Sequence, residues 1–125
     1  MRKPYRIVVG YDGSESAGRA LERAVGLTGY GSRLRIVYVA DGPDGVERGR
    51  TMLSEVEQRL ARGHIPGETA GRIGDPADEL IEAVREENAD LLVVGDGATE
   101  VPGATLGSVS TALIQRAPCD VLVAR

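Results

Sequence analysis

Fourteen residues near the C-terminal end, Gly95-Asp-Gly-Ala-Thr-Glu-Val-Pro-Gly-Ala-Thr-Leu-Gly107-Ser108, carry the clearest chemical signal, because they follow an apolar run and precede a segment of helical period. In a parallel α/β fold that is where a phosphate loop lies. Glycines let a backbone come close to a ligand, and the amides opening the next helix offer unpaired donors and a partial positive charge to an anion. The side chains pull the other way, since the stretch holds Asp96 and Glu100 and no Lys or Arg. Two unit charges about 6 Å apart interact by roughly 0.7 kcal/mol in bulk water and about 3 kcal/mol at an effective dielectric of 20. Repulsion of that size weakens phosphate binding without forbidding it, and a divalent cation would turn either carboxylate from opponent into ligand.

Other reactive side chains are few. Asp12, in Tyr11-Asp-Gly-Ser-Glu15, can accept hydrogen bonds from a ribose or an adenine amino group or hold a cation between phosphates; equally, Asp12-Gly13-Ser14 can simply turn the chain and cap a helix. His64 is the single histidine and Cys119 the single cysteine, which excludes an internal disulfide and any multi-cysteine metal site. In Arg62-Gly-His-Ile-Pro-Gly67, His64 reads as an exposed helix-end residue rather than a catalytic base. Cys119, beside Pro118 at the start of an apolar strand with nothing basic next to it, reads as a packing residue.

These residues need a scaffold, and 125 residues provide one domain with one sizeable core. With no Phe or Trp and only Tyr5, Tyr11, Tyr30 and Tyr38, that core is expected to be Val, Leu, Ile and Ala. The net charge of -4, with basic residues scattered among acidic ones, gives no drive toward nucleic acid or an anionic membrane. The apolar run after Met1-Arg-Lys-Pro is too short for a signal peptide and no segment reaches transmembrane length, so the expected compartment is the cytoplasm.

Short β-branched runs alternate with longer stretches of helical period, the pattern of a parallel sheet with crossover helices. Strands are expected at Arg6–Tyr11, Leu34–Val39, near Glu68–Ile73, at Asp90–Val94 and at Asp120–Ala124. The third, with Gly and charged residues, suits a sheet edge; the fourth, with four apolar residues in a row, suits the centre. Helices are expected between them: one burying Ala17, Ala20, Leu21, Ala24 and Val25, one burying Met52, Leu53, Val56 and Leu60, and one opening at Asp75-Pro76 and burying Ala77, Leu80, Ile81 and Val84. A fourth runs from about Thr105 or Gly107 to Arg116. The sheet order that keeps the fourth strand central with right-handed crossovers is 3-2-1-4-5. Ligands of such sheets bind beyond the carboxyl ends of the strands at the switch point, where Asp12, Val39 and the Gly95–Ser108 loop converge.

Gly10-Tyr-Asp-Gly-Ser-Glu15 after the leading strand, Gly74-Asp75-Pro76 opening the third helix, and Leu106-Gly-Ser-Val-Ser110 followed by Ala117-Pro118-Cys119 together resemble the universal stress protein family over essentially the whole chain. The resemblance implies an adenine nucleotide alpha-hydrolase-like α/β domain, usually a homodimer through the edge at the last strand. ATP-binding members carry Gly, two residues, Gly, nine residues, then Gly-Ser or Gly-Thr. Here the first gap is one residue short and holds Asp96. By resemblance, the Asp12-Gly13 turn and Val39 would flank ribose and adenine, Gly95 and Gly97 would lie against ribose and phosphate, and Gly107, Ser108, Val109 and Ser110 would hold the phosphates.

The expected function is therefore a regulatory domain binding ATP or a related adenine nucleotide, with or without Mg²⁺. Little or no hydrolysis is expected, since no Gly-Lys-Ser/Thr run is present and no general base is placed. The rival is a nucleotide-free dimeric module that recruits another protein. A more distant reading is a small enzyme using Asp12 and Ser108 on a nucleotide. Val121, Leu122 and Val123, with no following helix to cover their edge, are the expected dimer contact.

Overall fold

The computed structural model describes residues 5–29, 31–97 and 106–125. Five strands, β1 (Arg6–Gly10), β2 (Arg33–Ala40), β3 (Gly67–Ile73), β4 (Leu91–Gly95) and β5 (Asp120–Ala124), alternate with helices α1 (Glu15–Leu27), α2 (Val46–Arg62), α3 (Pro76–Glu87) and α4 (Ser108–Arg116). A 3-10 turn at Pro43–Gly45 leads into α2. All strand pairs are parallel and the order is β3-β2-β1-β4-β5, as the sequence predicts.

Alternation along the strands splits the core into two layers. Ile7, Val9, Ile36, Tyr38 and Val93 face α1 and α2, meeting Ala20, Leu21, Ala24, Leu53, Val56 and Leu60. Val8, Val37, Leu92 and Val94 face the other way, onto Ala77, Leu80, Ile81, Val84 and Leu113 of α3 and α4. Leu91–Val94 are buried throughout, which is what a central strand covered on both faces requires. One aromatic joins the aliphatic core. Tyr38 is buried because Gly49 of α2 lies flat on its ring, where an added Cβ would come within 2.3 Å.

Local chemistry sets the helix starts that matter for the site. Ser14 caps α1, its Oγ accepting from the Ala17 amide at 3.2 Å, and Asp75 caps α3, accepting from Asp78 at 3.0 Å with Pro76 at the first helical position. β3 is an edge, as its composition indicates. Arg72 ties it to α3 through Glu79 at 2.9 Å and Glu86 at 2.6 Å. Those two carboxylates, Glu86 foremost, raise the Arg72 pKa further, against an opposing effect of burial.

The strand limits differ slightly from the sequence expectation. β1 stops at Gly10, although the Tyr11 amide still reaches Val37 O at 2.9 Å, and β4 starts at Leu91 because Asp90 turns its carboxylate to the Arg6 amide at 2.8 Å. α4 begins at Ser108 with Gly107 as its cap residue; Thr105, Tyr30 and Glu100 lie outside the described residues. No described helix is long and apolar enough to cross a membrane.

Candidate nucleotide-binding cleft

β1 and β4 are neighbours whose following helices leave for opposite faces of the sheet, so the loops beyond their carboxyl ends diverge. Between them opens a cleft of about 330 Å³, at the lower end of the range for small-molecule sites. Asp12, Val39, Gly95, Gly97, Gly107, Ser108, Val109 and Ser110 all line it. Gly13 does not share that role. Its φ of +83° and the Met52 sulfur 2.9 Å from where a Cβ would stand make it a turn residue.

One end of the cleft presents backbone donors of the kind that suit an anion. Gly107 gives α4 no side-chain cap, and the first helical bond is made by the Thr111 amide to Gly107 O at 3.0 Å. The amides of Ser108, Val109 and Ser110 precede that bond and have no partner among the described residues, as donors of a helix N-terminus ordinarily do not. Ser108 therefore does not cap the helix; it is the first helical residue, exposed beside the cleft. Ser110 is buried, and its hydroxyl donates to Gly95 O at 2.7 Å. It contributes an amide toward the cleft rather than its hydroxyl.

The two ends of the glycine stretch are fastened together at Asp96. Its amide donates to Ala124 O at 3.1 Å, and its carbonyl accepts from the Gly107 amide at 2.8 Å. Gly97, at φ +66°, then lies against Gly107: a Cβ on Gly97 would be 3.2 Å from Gly107 Cα. Side chains at either position would fill the floor of the cradle. Gly95 is needed for a different contact, since its Cβ would stand 2.5 Å from the Ser16 carbonyl on α1.

The opposite end is apolar. Val37 and Val39 of β2, with Pro76 and Leu80 of α3, supply a wall suited to a flat heterocycle. Pro76 and Leu80, which the sequence pattern assigns only to helix start and core, also line the cleft. Asp12 stands at the rim, exposed, with Oδ1 accepting from the Ser14 amide at 3.0 Å. Both sequence readings of Asp12 meet here, because the carboxylate that turns the chain also lines the cleft.

Asp96 does not face the cleft as an isolated charge. It is buried, and its Oδ1 lies 3.5 Å from Nη2 of Arg19 on α1. Among the described lining residues Asp12 is the single carboxylate, and there is no Lys, Arg or His. No group of three or more metal-ligating side chains occurs among the described residues. A Mg²⁺ ion here would take its oxygens from phosphate and water, with Asp12 as the side-chain donor. His64 is exposed just past α2 at φ +54°. Cys119 is half-buried, and burial first, then the charges of Asp120 and Asp90, push its thiol pKa up.

A doubly wound parallel domain with an apolar pocket and an uncapped helix N-terminus at its switch point is the architecture in which open α/β sheets bind ligands. The universal stress protein family model matches residues 4–125, and the chain belongs to that family. Universal stress protein Rv1636 from Mycobacterium tuberculosis is 33% identical over 138 residues, spanning 94% of this chain and 93% of that protein. Its crystal structure aligns over 100% of this chain and 98% of that one with a TM-score of 0.67. A universal stress protein solved in complex with cAMP is 29% identical, covers 99% of both chains and has a TM-score of 0.79. Universal stress protein UspA from Lactobacillus plantarum has the same fold, with a TM-score of 0.84 at 22% identity over 100% of both chains.

Proposed function

We propose that this protein is a regulatory domain that binds ATP or a related adenine nucleotide, with the base against Val37, Val39 and Leu80 and a phosphate on the amides of Ser108, Val109 and Ser110. The carrying observation is the uncapped N-terminus of α4, held at the cleft by the bond from Gly107 to Asp96. The cAMP complex of a relative 29% identical to this chain supports the choice of adenine. Gly97 and Gly107 allow their two backbones to approach closely beside the α4 amides, since a Cβ on either would stand 3.2 or 3.3 Å from the other's Cα.

Hydrolysis is not part of this reading. Lys, Arg and His are absent from the described lining, so no cationic side chain there neutralises a transferring phosphoryl group. The protein is proposed to work in the cytoplasm as a homodimer through β5, which has β4 as its single strand neighbour among the described residues and leaves Val121, Leu122 and Val123 half-buried.

Mass spectrometry of ligand released from freshly purified protein tests the reading. A stoichiometric adenine nucleotide is the expected result. Protein that carries none, and binds none of AMP, cAMP or ATP when titrated, would be a nucleotide-free interaction module.

A further inference from the structure

The arginines missing from the cleft are gathered at the other end of the sheet. Strand alternation places Arg6, Arg33 and Arg35 on the face that Val8 and Val37 present to α3 and α4. Register then sets Arg6 beside Arg33 and Arg35 beside Glu68. Helix α3 ends at Glu87, where Asn88 turns the chain at φ +51°, and its last turn meets this corner at Arg6, whose Nη1 donates to Glu87 O at 2.8 Å. Beside it opens a cavity of about 400 Å³, lined by the three arginines together with Glu68 and Glu87. That volume falls within the range of small-molecule sites.

The charges in this cavity are unevenly matched. Arg35 takes both carboxylates, Glu68 at 2.5 Å and Glu87 at 3.0 Å. Arg33 is left with Glu68 at 4.0 Å, and an exposed pair of that length contributes little. Arg6 has no carboxylate partner among the described residues, and its Nε is buried without a hydrogen bond. The end of α3 favours a cation there, but a helix C-terminus carries only roughly half a negative charge. Asp90, the nearest acid in sequence, spends its carboxylate on the Arg6 amide and does not line the cavity. Two neighbouring guanidinium groups thus lack a close counter-charge.

We propose that this cavity is a second ligand site, taking a small anion with a carboxylate or phosphate group on Arg33, with Arg6 supplying charge beside it. The planar fork of an arginine matches either group through paired N–H donors. The site lies at the amino ends of β1, β2 and β3, whereas the nucleotide cleft lies at the carboxyl ends, so it stands or falls independently of the nucleotide reading.

The test is a ¹H–¹⁵N titration of the native protein with inorganic phosphate and, separately, with succinate. Backbone signals of Arg6, Arg33, Arg35 and Glu68 should move and saturate with at least one probe, and the probe that moves them identifies the head group. Arg33→Gln should weaken that binding about tenfold, the loss of a charge-assisted pair. Its side chain is 63% exposed, so the fold should be unaffected. Glu68→Gln should tighten binding by removing the competing carboxylate. Arg50→Gln, which removes an exposed arginine paired with Glu47 on α2, should change nothing. Equal weakening by Arg50→Gln and Arg33→Gln would reduce the effect to general charge and overturn the proposal. So would probes that move no signal at this corner, including phosphate that moves only Ser108, Val109 and Ser110.

Discussion

The Ser110 hydroxyl donates to the Gly95 carbonyl at 2.7 Å and so fixes the first turn of α4 to the last residue of β4. Gly95 and Ser110, fifteen positions apart in sequence, thus meet through one hydrogen bond. A second tie, Gly107 N to Asp96 O, fixes the helix N-terminus at the cleft. The proposed anion site is thus set by backbone and one buried hydroxyl, with no cationic side chain among the described residues that line it.

Gly95→Ala tests how tightly that frame is packed. Its Cβ would meet the Ser16 carbonyl carbon and oxygen at 2.5 Å, and backbone cannot rotate aside as a flexible side chain can. The expected cost is about 2 kcal/mol or more in urea unfolding. Gly18→Ala, on α1 with nothing within 4 Å of an added Cβ, should be neutral or slightly stabilising.

Val123→Asp tests the proposed twofold contact. A charge placed on β5 should shift the protein from dimer toward monomer in sedimentation while the far-ultraviolet circular dichroism stays native. An unchanged dimer would move the interface elsewhere.

Cys119 gives a pH prediction. Burial raises its thiol pKa, so the folded state holds the proton more firmly than the unfolded chain does. Stability from this group is complete below the unfolded thiol range, near pH 8.5, and is lost as pH rises beyond it through the folded value. Alkylation at pH 8 should therefore be slower in the native protein than after unfolding in urea, and Cys119→Ser should flatten the alkaline fall in stability. A native protein that reacts as fast as the unfolded one would contradict this.

Sheet order and the cleft's place were legible in the sequence because both follow from patterns of neighbouring residues. Leu91 to Val94 form an uninterrupted apolar run, and that alone makes β4 central. Asp75-Pro76 marked a helix start by local capping chemistry. The behaviour of Asp96 was not legible. Its carboxylate lies 3.5 Å from Arg19, far away in sequence and brought near by the packing of α1 on the sheet. Pro76 and Leu80 were hidden as cleft residues for the same reason, since helical periodicity identifies a buried face and not which part of it borders a ligand. Tyr38 joined the core through Gly49, a fit that composition does not reveal.

The central claim is that phosphate lies on the α4 amides, and amide chemical shifts read those groups directly. On titration with AMP, the ¹H–¹⁵N signals of Ser108, Val109 and Ser110 should move most, together with Val37 and Val39 at the base wall. Adenosine should move Val37 and Val39 while leaving the three α4 amides nearly still. Saturating AMP that shifts neither group, or shifts residues away from the cleft, would contradict the account.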